Sequence, residues 1–165
     1  MIRVRPYESA DRGAILSWIG DEREFYLWSA GRIGDYPPDP SRFDELESIT
    51  RFTAEDDVEP VGFFTVRKPE GSDGELRFGF VIVDPASRCR GVGGEMLTLG
   101  LRRAFDDCGA DRVSIGVFDD NLPAIRLYKR LGFRETGERE TYPIMGETWT
   151  CLILSLDRAS FGQSE

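Results

Sequence analysis

At 165 residues, 40% hydrophobic and 31% charged, the chain has the size and composition of one globular domain with room for a proper core. It has no apolar run of about 18 residues to span a membrane, and its net charge of −9 argues against a nucleic-acid binder, which needs a basic face. It contains no histidine, which removes Ser-His-Asp and Cys-His nucleophile systems and most catalytic zinc sites. Acid–base chemistry falls to carboxylates, tyrosines, lysines, thiols or water, and no metal is expected.

The N-terminal "MIRVRPYESADRG" lacks the apolar middle of a signal peptide. Cys89, Cys108 and Cys151 are odd in number and widely spaced, so they read as free thiols of a reducing, cytoplasmic setting. The acidic balance suits a cationic partner such as an amine, or simply a solubilising surface.

In chain order, residues 2–6 alternate as a short strand. Residues 11–18 carry Ala14, Ile15 and Trp18 on one helical face, and a second helix starts near Asp21 with Phe25 and Trp28 three apart. "GRIGDYPPDP" forbids regular structure, and Ser41 followed by Asp44 predicts an N-capped helix to about Ser48. Three strands are expected at 49–54, 60–68 and 75–83, the last two joined by the polar turn "PEGSDG". Asp84-Pro85 ends the third. A helix over 91–107 presents Leu97, Leu101, Ala104 and Phe105 as an apolar stripe and closes at Gly109. Val113, Ile115 and Val117 alternate as a fifth strand. Asn121 caps a helix that ends at Gly132, and strands at 133–142 and 148–156 complete the chain. No repeat or linker divides it, so a single α/β domain over 1–165, a mixed sheet with helices on both faces, is expected.

"RCRGVGG" lies between the third of these strands and a helix. Unpaired N–H groups and the positive end of the dipole face outward at a helix start. Glycines let a phosphate reach those N–H groups and arginines add charge, which makes a pyrophosphate cradle. The P-loop Gly-Lys-Ser/Thr is absent, and the dinucleotide pattern would need glycine at Met96. A plain loop is the other reading of the same residues.

"VIVDPASRCRGVGGEML" resembles the acetyl-CoA-binding segment of the GNAT superfamily of N-acetyltransferases, whose Gln/Arg-x-x-Gly-x-Gly/Ala pattern is met by Arg88, Gly91 and Gly93. "DDNLPAIRLYKRLGF", with Asn121, Ala124, Tyr128, Gly132 and Phe133, resembles the family's second block, some 27 residues further on. The resemblance implies a mostly antiparallel sheet of about seven strands with a splayed central pair. It implies acetyl transfer from acetyl-CoA to a primary amine, small-molecule or peptide, with no nucleic acid, no membrane and, compatibly, a homodimer. Val81, Ile82 and Val83 would run beside the pantetheine arm. Arg88, Cys89, Arg90, Gly91, Val92, Gly93 and Gly94 would hold the pyrophosphate. Asn121, beside Ala124, would reach a pantetheine amide unless it serves only as a cap.

Tyr128 lies seven residues after Asn121 on the same helical face. A phenol with a reference pKa near 10 can protonate a departing thiolate at little cost, so the resemblance makes it the general acid rather than a packing residue. The general base is open. The family's usual carboxylate position falls at Arg77, a departure. Glu75, two residues earlier on the same face and displaced by about 7 Å, is the first candidate; Glu24 or an ordered water are the others. The oxyanion would see a strand N–H near Val81. The acceptor wall is expected in "DEREFYLWSAGRIGDYPPDP", from Phe25, Tyr26, Trp28 and Tyr36 with Asp21, Glu22 and Glu24, unless those aromatics are core. A CoA-binding sensor that no longer transfers acetyl is the alternative function, favoured by Arg77 and disfavoured by Tyr128. A nucleotide-binding module ranks below both.

Overall fold

The computed structural model describes residues 1–163; positions 164 and 165, counted with the domain expected above, lie outside the described residues. Seven strands form one sheet in the order β1-β2-β3-β4-β5-β7-β6. They are β1 (Ile2–Pro6), β2 (Thr50–Asp56), β3 (Glu59–Arg67), β4 (Glu75–Val83), β5 (Arg112–Phe118), β6 (Arg134–Ile144) and β7 (Glu147–Asp157). Every neighbouring pair is antiparallel except β4 and β5.

One face carries α4 (Val92–Arg102) and α5 (Leu122–Arg130), packed on Phe64, Phe78, Val113 and Ile115. The other carries α1 (Arg12–Ser17), α2 (Glu22–Ser29) and α3 (Pro40–Asp44), packed on Phe63, Phe80 and Ile82. The alternation along β4 explains how one strand serves both cores, and Phe80 shows where it breaks. Leu76 and Phe78 face the α4 side, yet beyond Gly79 it is Val81 and Val83 that do so. One residue has been inserted, and the β3–β4 register slips between Phe63 and Thr65. Phe80 takes φ +49 to make this bulge, a conformation rare for a bulky residue.

Several boundaries differ from the sequence reading for local reasons. The third helix is capped by Asp39, whose Oδ1 accepts from the Ser41 N–H at 3.0 Å. Pro40 therefore falls inside the first turn, where a missing N–H is harmless, and the helix stops at Asp44 rather than Ser48. The helix expected to reach 107 widens to a π-helical turn over Arg103–Asp107. A short helix α6 (Arg158–Gln163) follows β7 and was not foreseen. No helix among the described residues is long and apolar enough to cross a membrane.

Candidate active site

β4 and β5 pair only from Glu75↔Arg112 to Phe78↔Ile115. The next residue on each strand is a glycine, Gly79 and Gly116, and from there the strands part. A Cβ on Gly79 would approach Thr65 Oγ1 at 3.3 Å, and one on Gly116 would meet Cys151 Sγ at 2.9 Å. Both missing side chains point to the α2 side, so the sheet has a window where the strands separate. A cleft of about 870 Å³ opens there, walled by α2, the free half of β4, the turn before α4, and α5.

The free half of β4 presents backbone to this cleft. The Asp84 N–H donates to the Val61 carbonyl at 2.8 Å, which turns Asp84 and Ile82 toward β3. By the alternation of the ladder, Val83 and Val81 turn their peptide groups the other way, into the gap left by β5. The bulge carbonyl of Phe80 is fixed separately: the Trp28 indole N–H donates to it at 2.8 Å.

At the far end the chain turns into α4 through Cys89 (φ +63) and Gly91 (φ +78), two left-handed residues that bring successive N–H groups to one side. The N–H groups of Val92, Gly93 and Gly94 begin the helix without partners one turn back. Gly93 lies against Leu127 and Val83, 3.2 and 3.6 Å from where its Cβ would be. Arg88 folds over the turn and its Nε donates to the Val83 carbonyl at 3.2 Å. Of the cradle residues named from sequence, Arg88, Cys89 and Gly91 to Gly94 line the cleft, whereas Arg90 is exposed beside it.

Asn121, Ala124 and Tyr128 reach the cleft from α5. Asn121 occupies the cap position of α5, but its side chain makes no capping bond. Tyr128 is 5% exposed, with its ring edge-on to Phe133 and no hydrogen bond to its hydroxyl among the described residues. Burial, with a smaller contribution from the neighbouring Cys151, pushes the phenol above its ordinary pKa. It therefore stays protonated throughout the physiological range.

Glu75 is not brought to this cleft. It lies at the paired end of β4, where its carboxylate accepts from Ser114 Oγ at 2.6 Å and from Ser72 Oγ at 3.3 Å. It also lies 3.6 Å from Arg77. The strand parity expected for Glu75 and Arg77 holds. Neither lines the cleft, which begins at Gly79, and Ser114 with Arg77 engages the carboxylate. Glu24 does line the cleft, one helical turn before Trp28, and holds the Gly20 N–H at 2.7 Å. Of the four aromatics expected to line an acceptor wall, only Trp28 lines the cleft. Phe25 is core, and Tyr26 and Tyr36 pack around it. Asp21 caps α2. Gly79, Gly116 and Leu127 were missed, although a glycine inside a strand pattern is itself a sign of a bulge or a close approach.

An open sheet with a bulged, splayed central pair, a glycine turn at the mouth of the gap and a buried tyrosine at its floor defines a family of acyl-transfer enzymes. The chain belongs to the acetyltransferase (GNAT) family, whose model matches residues 14–133. A mycothiol acetyltransferase of Thermobispora bispora is 30% identical over 129 residues, 68% of this chain and 43% of that protein. A spermine/spermidine N(1)-acetyltransferase of Bacillus subtilis is 27% identical over 77 residues, 47% of this chain and 51% of that protein. The chain thus spans about half of these curated relatives or less. Among solved structures, a spermidine N-acetyltransferase from Vibrio cholerae, in complex with CoA and spermine, superposes with a TM-score of 0.81 over 97% of each chain at 18% identity. An aminoglycoside acetyltransferase in complex with coenzyme A gives 0.76 over 99% of this chain and 98% of that one at 19% identity. At such identities the likeness is one of fold.

Proposed function

We propose that the chain is an N-acetyltransferase that moves an acetyl group from acetyl-CoA directly onto a primary amine. The observation that carries this is the continuous cleft from the glycine turn, along the free edge of β4, to Tyr128 and the glycine window. The residues present fit the cosubstrate. The unpartnered N–H groups at the start of α4 and the arginine above them suit a pyrophosphate. The outward peptide groups of Val81 and Val83 and the unused side chain of Asn121 suit the amides of a pantetheine arm.

The window lets an amine on the α2 side approach a thioester lying on the α4 side, so one attack serves and no acyl-enzyme is needed. The Val81 N–H, held by the fixed bulge before it, is the donor to the developing oxyanion. Tyr128 protonates the departing thiolate, a step that burial makes harder, since the raised pKa weakens the phenol as an acid. Glu24, the one carboxylate of the two candidates that lines the cleft, takes the ammonium proton through water. Spermine in the Vibrio cholerae complex and aminoglycosides as the acceptors named for another neighbour support an amine as the class of acceptor.

The test is a screen of amines read as release of free thiol from acetyl-CoA, with CoA binding followed by calorimetry. Thiol release with at least one primary amine is expected. CoA binding without release from any amine would make the chain a CoA-binding sensor instead.

A further inference from the structure

On the α2 face of the sheet, three guanidiniums gather where the family resemblance led one to expect a carboxylate. Arg67 of β3 stands directly opposite Arg77 of β4, a like-charge pairing that disfavours a sheet. Arg32, in the loop after α2, lies with its guanidinium 5.2 Å from the centre of the Phe80 ring. Partial desolvation, and then the charges of Arg67 and Arg77, hold its pKa below the ordinary value, while Tyr142 and Glu140 act the other way. Two carboxylates face this group, Glu75 and Glu140, and Arg77 engages both, at 3.6 and 3.8 Å. Arg77 also donates to Ser114 Oγ at 2.8 Å.

Among the described residues neither Arg32 nor Arg67 has a carboxylate partner, and the buried Nε of Arg67 has no acceptor. With 30 acidic residues against 21 basic ones, the chain does not lack counter-charges; the deficit is local. A buried donor left unpaired costs free energy, and guanidinium forks match the two oxygens of a carboxylate. Arg77 precedes Gly79 by two residues on the same face, a step of about 7 Å. None of the three guanidiniums lines the cleft and Arg32 is exposed, so the unmet donor is Arg67 Nε, on the strand beside Arg77 and bordering the window from outside.

The geometry points to an acceptor that carries its own oxyanion: a small amino carboxylate whose carboxylate is held by Arg32 and Arg67 beside Arg77 while its amine reaches the Gly79–Gly116 window. This rests on the transferase reading above. It runs against the cationic acceptor that the net charge suggests, because net charge describes the whole surface and recognition only the surroundings of the site.

The experiment measures thiol release by the full chain on matched pairs: phenylalanine and phenethylamine, lysine and cadaverine, 4-aminobutyrate and butylamine, with spermidine alongside. At least one carboxylate should exceed its partner and spermidine in kcat/KM by tenfold or more. Arg32→Gln and Arg67→Gln should each raise the KM for that carboxylate at least tenfold, leaving kcat and the KM for its carboxylate-free partner unchanged. Arg67→Gln should melt no lower than the wild type, since it removes a like-charge pair, so misfolding is not mistaken for lost recognition. Calorimetry of the same carboxylates on the CoA complex reads the site without turnover. Carboxylate binding that Arg67→Gln abolishes, with no thiol release from any amine, would uphold the oxyanion site and overturn the transferase reading. Turnover of spermidine or the carboxylate-free amines equal to or above that of every carboxylate would overturn the inference and leave the transferase reading standing. So would variants with unchanged KM. Absence of both carboxylate binding and turnover would overturn both.

Discussion

The two sides of the gap between β4 and β5 are built from different materials. The α4 side is mostly backbone: the free edge from Gly79 to Val83, the turn through Cys89 and Gly91, and the first N–H groups of α4. The α2 side is mostly side chains: Arg23, Glu24, Leu27 and Trp28 of α2 line the cleft, and outside it lie Arg32, Arg67, Arg77, Glu140 and Tyr142. A backbone-built surface suits a partner that never changes. A surface of long side chains can be re-tuned one residue at a time without disturbing the ladder that holds it. Conserving one half of a reaction while varying the other follows from that division.

The comparison can be broken most sharply at Gly93. Aspartate there adds a side chain against Leu127 and Val83 and a charge where the phosphate is proposed to lie. Opposed like charges cost several kcal/mol, so calorimetry should find CoA affinity reduced by about 100-fold or more in a folded variant. Unchanged affinity would detach the backbone side from the cosubstrate.

Tyr128→Phe comes next. It keeps the ring and its packing on Phe133 and deletes one proton. General acid catalysis is worth about 10²–10⁴-fold, so kcat should fall by at least about tenfold while CoA affinity stays near wild type. Because burial raises the phenol's pKa, the wild-type rate profile should show no alkaline limb from Tyr128 below about pH 10. Wild-type turnover in the variant would return Tyr128 to a packing role.

A gentler probe is Gly116→Val, which fills the window from the α2 side, where even a Cβ lies 2.9 Å from Cys151 Sγ. Acceptor kcat/KM should drop about tenfold or more with CoA binding retained, since one misplaced ångström at a reacting centre can cost about 10²-fold. Equal losses on both substrates would show that the two sides are not separable.

The smallest effect concerns stability. Burial first, and then Glu140, push the Cys151 thiol up from 9.0 to about 11. Its folded pKa is the higher one, so the stabilisation it lends is complete below about pH 9 and is lost as pH rises through about 11. The melting temperature should begin to fall between pH 8 and pH 10, below most phenol ionisation. Cys151→Ala should flatten that slope.

This same division governs what could be read from the sequence. The cradle and the α5 block were legible because their residues are consecutive: "RCRGVGG" is contiguous, and Asn121, Ala124 and Tyr128 follow one helical face. The strands were legible in chain order from apolar runs bounded by turn residues, with alternation clear in β5, but their order across the sheet was not. The α2 side was not, since Arg32, Arg67 and Arg77 meet only after the sheet has formed and no local pattern links them. Glu75 failed for a related reason. Its parity was right, but pairing with β5 up to Phe78 keeps it outside the gap. The Asp39 cap was hidden by the more familiar Ser41-x-x-Asp44 spacing.

A hydrogen bond from α2 to β4 crosses the division. The Trp28 indole N–H grips the Phe80 carbonyl, fastening the helix that borders the acceptor side to the strand proposed to receive the cosubstrate. The bonded indole lines the cleft and is itself a fluorophore. With Trp18 and Trp149 as the only other indoles, the difference in emission between the wild type and Trp28→Phe isolates its signal, giving an optical readout of occupancy that needs no label and no turnover.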